Sequence, residues 1–162
     1  MVAQKSPLLY KSFYVVGFDY KFKDSATNEP VEISQQNYVI EVDFLHREVQ
    51  ENSFDLYLKL EINCGGEKLP GYSFFVEALG NFELVPEGLS EGAVNNLTLL
   101  SPLTMLISSV RGFILEVSAH GLAGRYLLPS IDVYDLVNQK SKSRKRKAKT
   151  KADPALQKIE AE

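Results

Sequence analysis

The sequence is poor in the residues from which disulfide frameworks, metal sites and nucleophilic active sites are built. Cys64 is its single cysteine, so no intramolecular disulfide can form, and a reducing, cytoplasmic compartment is expected. The two histidines, His46 and His120, have no metal-ligand spacing to Cys64 or to each other. Gly65 and Gly66 are not followed by the Lys-Ser or Lys-Thr pair of a phosphate-binding loop. The sequence therefore predicts a protein that is not an enzyme and that needs neither a metal nor a cofactor.

Long apolar runs are also missing. The opening segment, MVAQKSPLLYKS, lacks the extended apolar core of a secretory signal, and no stretch approaches the roughly 18 uninterrupted apolar residues of a membrane span. We therefore expect a protein that is not integral to the membrane. A chain of 162 residues, 44% of them hydrophobic, is long enough for one substantial core and has little room for a second.

Charge is distributed unevenly along the chain. Residues 1–139 carry 9 Lys and Arg against 18 Asp and Glu, whereas residues 140–151, KSKSRKRKAKTK, carry eight basic residues and no acidic one. Such a run cannot bury enough apolar surface to offset the cost of ordering it, so we predict a domain at 1–139 and a disordered basic tail at 140–162. The basic run is suited to phosphates of nucleic acid, to anionic lipid headgroups or to the protein's own acidic body. Without an aromatic residue it is not suited to stacking on bases.

Alternating polarity predicts four β-strands in the first half of the chain. Each strand has an apolar face opposite a polar one, and residues 24–30 supply turn formers and a proline between the first two. The predicted apolar faces are Tyr14, Val16, Phe18, Tyr20 and Phe22 in strand one, Tyr38, Ile40, Val42 and Phe44 in strand two, Phe54, Leu56, Leu58, Leu60 and Ile62 in strand three, and Tyr72, Phe74, Val76 and Ala78 in strand four. We expect these strands to form one antiparallel sheet.

The two glycines at residues 65–66 mark a hairpin between the third and fourth strands. A two-residue turn there would pair Leu58 with Ser73, whereas a slip of one residue pairs Leu58 with Phe74 and matches apolar residues better. We predict the slipped register, set by a three-residue loop or by a bulge near residues 70–71.

A long helix is predicted after the strands. Ser101 is a suitable N-cap, Pro102 suits the first helical position, and Gly121 is placed to end the helix in a left-handed conformation. The residues whose three- and four-residue spacing forms its apolar face are Leu103, Leu106, Ile107, Val110, Phe113, Ile114 and Val117. A short second helix after the Gly-rich loop completes an α+β domain.

The opposite side of the long helix is not properly polar. It carries small or apolar residues and little charge, although a domain of this size has only one layer to cover a helix. We therefore expect a second copy of the chain to cover this side, at an interface that includes Met105, Ser109, Gly112 and Glu116.

Residues 13–137 resemble the SecB-type protein-export chaperones. The best segments are SFFVEA at residues 73–78, the following NFEL, and NNLTLLSPLTMLISSVRGFILEVSAHG. There the family has an acidic-ended strand, a short linker and a Pro-started long helix with an Arg near its middle. RYLLPSIDVYDL, at residues 125–136, matches the segment that leads into the family's second helix. The order and spacing of these segments are more specific than any one of them.

The resemblance implies a four-stranded antiparallel sheet followed by one long and one short helix. It also implies an ATP-independent holdase, a homotetramer built as a dimer of dimers with the long helices between two sheets. Such a protein binds unfolded precursor proteins and passes them to the SecA motor. The residues at the positions of its client-binding groove are Val42, Phe44, Leu122, Tyr126, Leu127, Leu128, Ile131 and Tyr134. Each of them is equally well explained as a residue that closes the core.

Asp19 and Glu77 stand where the family docks the motor, and Phe75, on the same face of the strand two residues before Glu77, is the third predicted docking residue. An acidic body would attract a basic partner by long-range steering, but an ordinary solvent-facing carboxylate explains Glu77 as well. Lys23 stands where the family pattern has a second acid, and the basic tail is a further departure. The alternatives are a SecB-like chaperone dedicated to one client such as an antitoxin, and an adaptor that binds ribosomal RNA or other nucleic acid through its tail.

Overall fold

The computed structural model describes residues 1–25, 31–32 and 37–152, with side chains except at 144–152. In chain order the elements are strands β1 (Leu8–Lys23), β2 (Ile40–Gln50), β3 (Ser53–Ile62) and β4 (Gly71–Leu84), helix α1 (Glu91–Asn95), a π-helical turn (Asn96–Leu100), and helices α2 (Ser101–Ser118) and α3 (Val133–Ala152). This order confirms the predicted α+β fold. The chain divides into two units, Met1–Pro129 with the sheet and α2, and the residues from Ser130 onward with α3. The boundary predicted between Gln139 and Lys140 falls inside α3.

The four strands form one antiparallel sheet in the order β1-β4-β3-β2. One face of the sheet carries a cross-strand row with one residue from each strand, namely Phe18, Val76, Leu60 and Val42. We call this the inner face. Val76 and Leu60, at the centre of this row, are buried, and α2 packs against β1, β3 and β4 on this side. The apolar faces predicted for the third and fourth strands are therefore confirmed.

β1 departs from regular alternation. Its pairing with β4 shifts twice, the second time at residues 15–17, and each bulge adds one residue to the strand. An extra residue moves the side chains before it to the opposite face from those after it. Tyr14 and Val16 are consequently exposed on the outer face, so the prediction that they share a face with Phe18 is wrong.

The connection between β3 and β4 is longer than predicted. Residues 63–70 form the loop, and the register pairs Leu58 with Ala78. The predicted pairing of Leu58 with Phe74 is wrong, as is the bulge near residues 70–71, because the ladder from 53–62 to 74–83 shows no register shift. The predicted and observed partners of Leu58 are an even number of residues apart along β4. An even displacement leaves every side chain on the same face of the sheet, so the predicted faces are still correct.

Asn63 sets the register of this hairpin. It adopts a left-handed conformation with φ of 54°, which Asn tolerates better than most residues. Its side-chain amide accepts the Leu69 N–H at 2.9 Å and donates to the carbonyls of Leu69 and Tyr72, both at 2.9 Å. The loop is thus closed by one side chain.

The long helical stretch begins earlier than predicted. Ser90 is the N-cap instead of Ser101, and its Oγ accepts the Ala93 N–H at 3.3 Å. Between α1 and α2, one π-helical turn lets the Ser101 N–H donate to the Asn96 carbonyl. The wider turn accommodates Pro102, which has no N–H and whose ring crowds the preceding turn of a regular α-helix.

The predicted apolar face of α2 lies against the sheet. Its buried residues are Pro102, Leu103, Leu106, Ile107, Val110, Ile114 and Ser118. At the edge of this face, the ring of Phe113 meets that of Phe18 edge-on, with centroids 5.0 Å apart. Because burial of one aliphatic side chain contributes about 1.5–3 kcal/mol, this face is sufficient to hold the helix on the sheet.

α2 ends at Ser118 without a left-handed glycine. Gly121 does not adopt a positive φ, so the role predicted for it is wrong. A Cβ at Gly121 would collide with the hydroxyl groups of Tyr72 and Tyr20. Glycine is therefore needed for the close approach of two tyrosines of the sheet.

α3 continues through the basic run. Asp132 starts the helix by accepting the Asp135 N–H on its side chain at 2.9 Å and the Leu136 N–H on its carbonyl at 3.1 Å. The helix extends to Ala152, whereas the sequence predicted a short helix and disorder from Lys140. Lys, Arg and Ala are good helix formers, a backbone preference that high charge and low hydropathy do not reflect. Residues 153–162 lie outside the described part of the chain.

Candidate functional site

The segment that follows α2, residues 122–129, is fastened to that helix by two side chains, and we call it the covering segment. Ser118, which is fully buried, accepts the Tyr126 N–H at 2.9 Å. Arg111 donates from Nε and Nη2 to the carbonyls of residues 128 and 129, at 3.0 and 3.1 Å. The second half of the covering segment is therefore held at two points along α2.

The sheet holds the start of the covering segment. The Tyr72 hydroxyl donates to the Gly124 carbonyl at 2.8 Å and accepts the Ala123 N–H at 3.2 Å. Gly124 has a φ of 75°, a conformation that glycine adopts without steric cost. Because helix and sheet both fix its backbone, the segment displays its side chains from defined positions.

Tyr126 turns inward from the covering segment. It is only 6% exposed, and its ring centroid lies 5.6 Å from that of Phe74 and 5.8 Å from that of Tyr38. Burial raises the pKa of the Tyr126 phenol to about 12, and the neighbouring Tyr38 acts in the same direction. Its phenol is therefore neutral across the physiological pH range.

Five of the eight predicted groove residues fall into two groups, buried and exposed. Phe44, Tyr126 and Leu128 are buried, so they close the core, which was the alternative explanation. Leu122 and Leu127 are 83% and 67% exposed. Neighbours in sequence thus serve opposite purposes, with Tyr126 and Leu128 pointing inward and Leu127 pointing to solvent.

Three further residues of the predicted groove lie elsewhere. Val42 is half-buried on the inner face, at the β2 edge of the row defined above. Ile131 and Tyr134 belong to the second unit, where Ile131 is half-buried and Tyr134 is 67% exposed. The exposed apolar surface of the first unit at this site therefore consists of Leu122 and Leu127.

A groove of mixed polarity, with a volume of about 550 Å³, lies apart from the residues predicted from the sequence. It lies beside the β2–β3 turn and the start of the long helical stretch, and we call it the tip groove. Its lining includes His46, Glu48, Val49, Phe54, Leu84 and Val94. Only the tertiary approach of α1 to the ends of the strands creates this groove, so no local pattern could have predicted it.

The outer face of the sheet, opposite α2, is layered in cross-strand rows. A polar row consists of Ser12, Asn81, Asp55 and Arg47, and the adjacent apolar row consists of Tyr14, Leu79, Tyr57 and Leu45. Hydrogen bonds join all members of the polar row, with Asp55 at its centre accepting from Asn81 at 2.6 Å and from Arg47. The buried carboxylate is thereby satisfied, while the apolar row beside it stays partly exposed.

The predicted motor-docking residues lie together on the outer face. Asp19 is the cross-strand partner of Phe75, and Glu77 follows on the same face of β4. Lysines share this surface, since Lys21 pairs with Asp19 at 2.9 Å and Lys59 Nζ lies 5.4 Å from the Phe75 ring centroid. The hydrogen bond from Lys21 lowers the pKa of Asp19. The surface is consequently of mixed charge.

The predicted oligomer-interface residues divide unequally. Met105, Gly112 and Glu116 are exposed on the side of α2 that faces away from the sheet. A Cβ added at Gly112 would meet no described atom within 4 Å. Ser109 lies on the flank of the helix, where its hydroxyl shares a hydrogen bond of 3.0 Å with that of Tyr10.

The described surfaces offer apolar side chains on a fixed backbone. Among residues 1–25, 31–32 and 37–152, no three His, Cys, Asp or Glu side chains are grouped as metal ligands. The Cys64 thiol is directed at the Phe74 carbonyl, 3.2 Å away. What this arrangement can do chemically is to bury apolar groups of a partner.

Comparison with known proteins bears on the fold. The sequence matches no protein-family model and no curated protein. The structure is similar to the Mycobacterium tuberculosis SecB-like chaperone Rv1957, solved in complex with a ChAD peptide from the Rv1956 HigA1 antitoxin. The TM-score is 0.50 at 8% identity, covering 77% of this chain and 91% of that one. A protein of unknown function from Streptococcus agalactiae is similar with a TM-score of 0.43 and 15% identity, over 76% of this chain and 97% of that one. The likeness to Rv1957 confirms a SecB-like fold.

Replacing Tyr126 by Phe will make stability less sensitive to alkaline pH. The folded-state pKa of about 12 lies above that of an unfolded chain's phenol, about 10. The stabilisation linked to a raised pKa is complete below pH ~10 and is lost as pH rises toward the folded-state value. Guanidinium unfolding at increasing alkaline pH should therefore show a steep loss in wild type and a shallower one in Tyr126→Phe. The exposed Tyr134→Phe is the control, and equal losses in all three proteins would contradict the prediction.

Proposed function

We propose that the chain is an ATP-independent holdase, a chaperone that binds apolar stretches of unfolded polypeptides on its covering segment. The observation that carries this proposal is the exposure of Leu122 and Leu127 on a backbone that Arg111, Ser118 and Tyr72 hold in place. Large apolar side chains kept in water at fixed positions are typical of surfaces that bind other polypeptides. The SecB-like fold supports the proposal, because the similar Mycobacterium chaperone was solved with a peptide.

Apolar burial supplies enough affinity for such a function. Removing one leucine side chain from water contributes about 1.5–3 kcal/mol, which by itself gives only weak binding. An unfolded client is long, however, so a second contact, with the apolar side chains of the tip groove, becomes intramolecular. That contact then gains from a high effective concentration. Binding of this kind depends on the number of apolar contacts and needs no nucleotide.

We also propose that the exposed side of α2 is covered in a homo-oligomer, a dimer of dimers with the long helices between two sheets. By length and composition alone, the helical stretch Glu91–Ser118 could cross a membrane. Its inner side is packed on the sheet of the same chain. We therefore propose that the remaining apolar surface of the helix, which includes Met105 and Gly112, contacts a second copy of the chain in the cytoplasm and does not contact lipid.

Delivery of clients to the SecA motor is the general form of the proposal, with Asp19, Phe75 and Glu77 as docking residues. A second candidate is a chaperone dedicated to one client such as an antitoxin. The lysines on the outer face favour this candidate, because Lys21 and Lys59 each pair with an acid at 2.9 and 2.8 Å. They neutralise part of the negative surface that would steer a basic partner.

Replacing Leu122 and Leu127 together by Ser will weaken client binding by about 100-fold or more, because two leucine contacts of about 1.5–3 kcal/mol each are lost and every 1.4 kcal/mol is a factor of ten. Stability should be unchanged, since both side chains are exposed. The measurements are the affinity for a labelled apolar peptide, by fluorescence anisotropy, and the light scattering of a denatured reporter protein diluted into buffer without ATP.

The matched control removes apolar surface from the outer face. In Tyr14→Ser/Val16→Ser, two side chains that are 53% and 58% exposed are lost from a different surface. This control should bind the peptide nearly as well as wild type. If it lost as much affinity as the leucine variant, or if the leucine variant bound normally, the covering segment would not be the principal client site.

Gly112→Gln will lower the mass of the assembly while leaving each subunit folded. The single subunit has space for the longer side chain, whereas a close contact between two copies of α2 does not. Multi-angle light scattering after size exclusion measures the mass, and thermal unfolding checks the subunit. Gly112→Ala, the control, should keep the assembly and stabilise the helix by about 0.5–1 kcal/mol. A wild-type monomer, or a Gly112→Gln protein of wild-type mass, would contradict the proposed interface.

Glu77→Gln distinguishes the two forms of the holdase. If the motor docks on the outer face, wild type binds purified SecA and the variant binds it about tenfold more weakly, a typical cost of losing one interface charge. Calorimetric titration measures this, with Glu87→Gln, another exposed acid, as the control. If the chaperone is dedicated, neither protein binds SecA, and affinity purification from cells yields one dominant client with both.

A further inference from the structure

The basic run KSKSRKRKAKTK, residues 140–151, plays no part in the proposed holdase. It belongs to α3, whose backbone is helical from Val133 to Ala152. Eight of its positions are Lys or Arg, and none is acidic. The remaining positions are Ser, Thr and one Ala, so the run has no large apolar residue.

The basic positions lie on two opposite sides of the helix. An α-helix turns by about 100° per residue, so positions two apart, such as Lys145 and Lys147, fall on nearly opposite sides. At this spacing the cations form two rows, Lys140, Arg144, Lys147 and Lys151 on one side and Lys142, Lys145, Arg146 and Lys149 on the other, with the Ser, Thr and Ala positions between the rows. The helix therefore has no apolar face, and its positive charge is directed to two opposite sides.

Like charges also recur at the spacing at which helix positions are neighbours. Lys142 precedes Arg146 by four residues, and Lys145 precedes Lys149 by the same spacing. Like charges four residues apart disfavour a helix. A partner that places anions on more than one side would remove this repulsion, so the helix is better stabilised inside a groove than on a flat surface.

We propose that residues 140–151 bind the phosphate backbone of double-stranded nucleic acid, an activity beyond the holdase and independent of it. The major groove of B-form DNA is about 12 Å wide and admits an α-helix, with phosphates on both flanks. A groove of this kind meets cations on both sides of the helix at once. The B-form major groove therefore matches the two rows of cations that the run presents on opposite sides of the helix.

A lipid surface matches the run less well. Helices that lie in a membrane interface insert an apolar face, which residues 140–151 do not have. A flat layer of headgroups would also contact only the cations on one side of the helix. Without an aromatic residue for stacking, the run is likewise not suited to single strands.

Recognition of this kind is electrostatic and tolerant of sequence. Phosphate contacts position a protein on a duplex without reading its bases. Each neutralised phosphate releases counterions, so affinity falls steeply with salt, by about 0.9 logarithmic units per contact for each tenfold rise in salt concentration. The salt dependence therefore reports how many residues of the run make contact.

The test uses the full chain and a matched pair of variants. Lys145→Gln/Arg146→Gln/Lys147→Gln/Lys149→Gln removes four cations from the run, and Lys5→Gln/Lys11→Gln/Lys21→Gln/Lys23→Gln removes four from the first unit. Both variants have the same net charge. Fluorescence anisotropy with labelled duplex DNA and duplex RNA of mixed sequence, at several salt concentrations, gives the affinities and the salt slopes.

We expect wild type and the first-unit variant to bind duplex DNA similarly. The variant of the run should bind at least tenfold more weakly, with a salt slope reduced by about 3.6 if all four cations contact phosphate. Protection of a denatured reporter should be the same in all three proteins, which separates this activity from the holdase.

The two duplexes identify the source of the phosphates. Tighter binding to DNA supports insertion into a wide major groove, and tighter binding to RNA supports the phosphate contact on an A-form duplex. Vesicles of phosphatidylcholine with phosphatidylserine serve as the lipid surface. Tighter binding to these vesicles than to either duplex would overturn the proposal, as would equal losses of duplex affinity in the two quadruple variants.

Discussion

The packing of α2 on the inner face of the sheet is the interaction on which the rest of the structure depends. Leu106, Val110 and Ile114 are fully buried there, which fixes both the position and the rotation of the helix. With the rotation fixed, Arg111 and Ser118 are directed to the covering segment and hold its backbone. The same rotation leaves the remaining apolar side of α2 exposed. One helix thus closes the core, positions the candidate site and carries the exposed apolar side that we propose a second copy covers.

The sequence was sufficient to predict which faces of β3 and β4 are apolar but not how the two strands are paired. Alternation has a period of two, so any even displacement of β4 against β3 satisfies it equally well. The displacement is decided by the side-chain amide of Asn63, through contacts that alternation does not encode. The β1 bulge at residues 15–17 similarly inserts a single residue. Its one local indication was Gly17, where a Cβ would crowd Glu77 of the neighbouring strand.

Within the covering segment, composition could not distinguish Tyr126 from Leu127. Both are large and apolar, and both follow a Gly-rich loop. Their opposite orientation results from the hydrogen bonds that the segment's backbone makes with Ser118 and Arg111. In the sequence, these two residues look like an ordinary helical serine and an ordinary surface arginine. The extent of α3 was missed for a related reason. Charge and low hydrophobicity indicated disorder, whereas the backbone preference of Lys, Arg and Ala favours helix.

The hydrogen bonds of the covering segment also limit how a client could bind in the proposed holdase. The Tyr126 N–H and the carbonyls of residues 128 and 129 are already bonded to Ser118 and Arg111, and residue 129 is a proline without an N–H. An added strand could not pair with these groups, so contacts at this point must be made to the side chains of Leu122 and Leu127. Burial of side chains is non-directional, whereas strand pairing demands a fixed register. A surface built this way accepts apolar residues in many sequences and orientations, which suits a holdase better than a protein that captures one strand by extending its sheet.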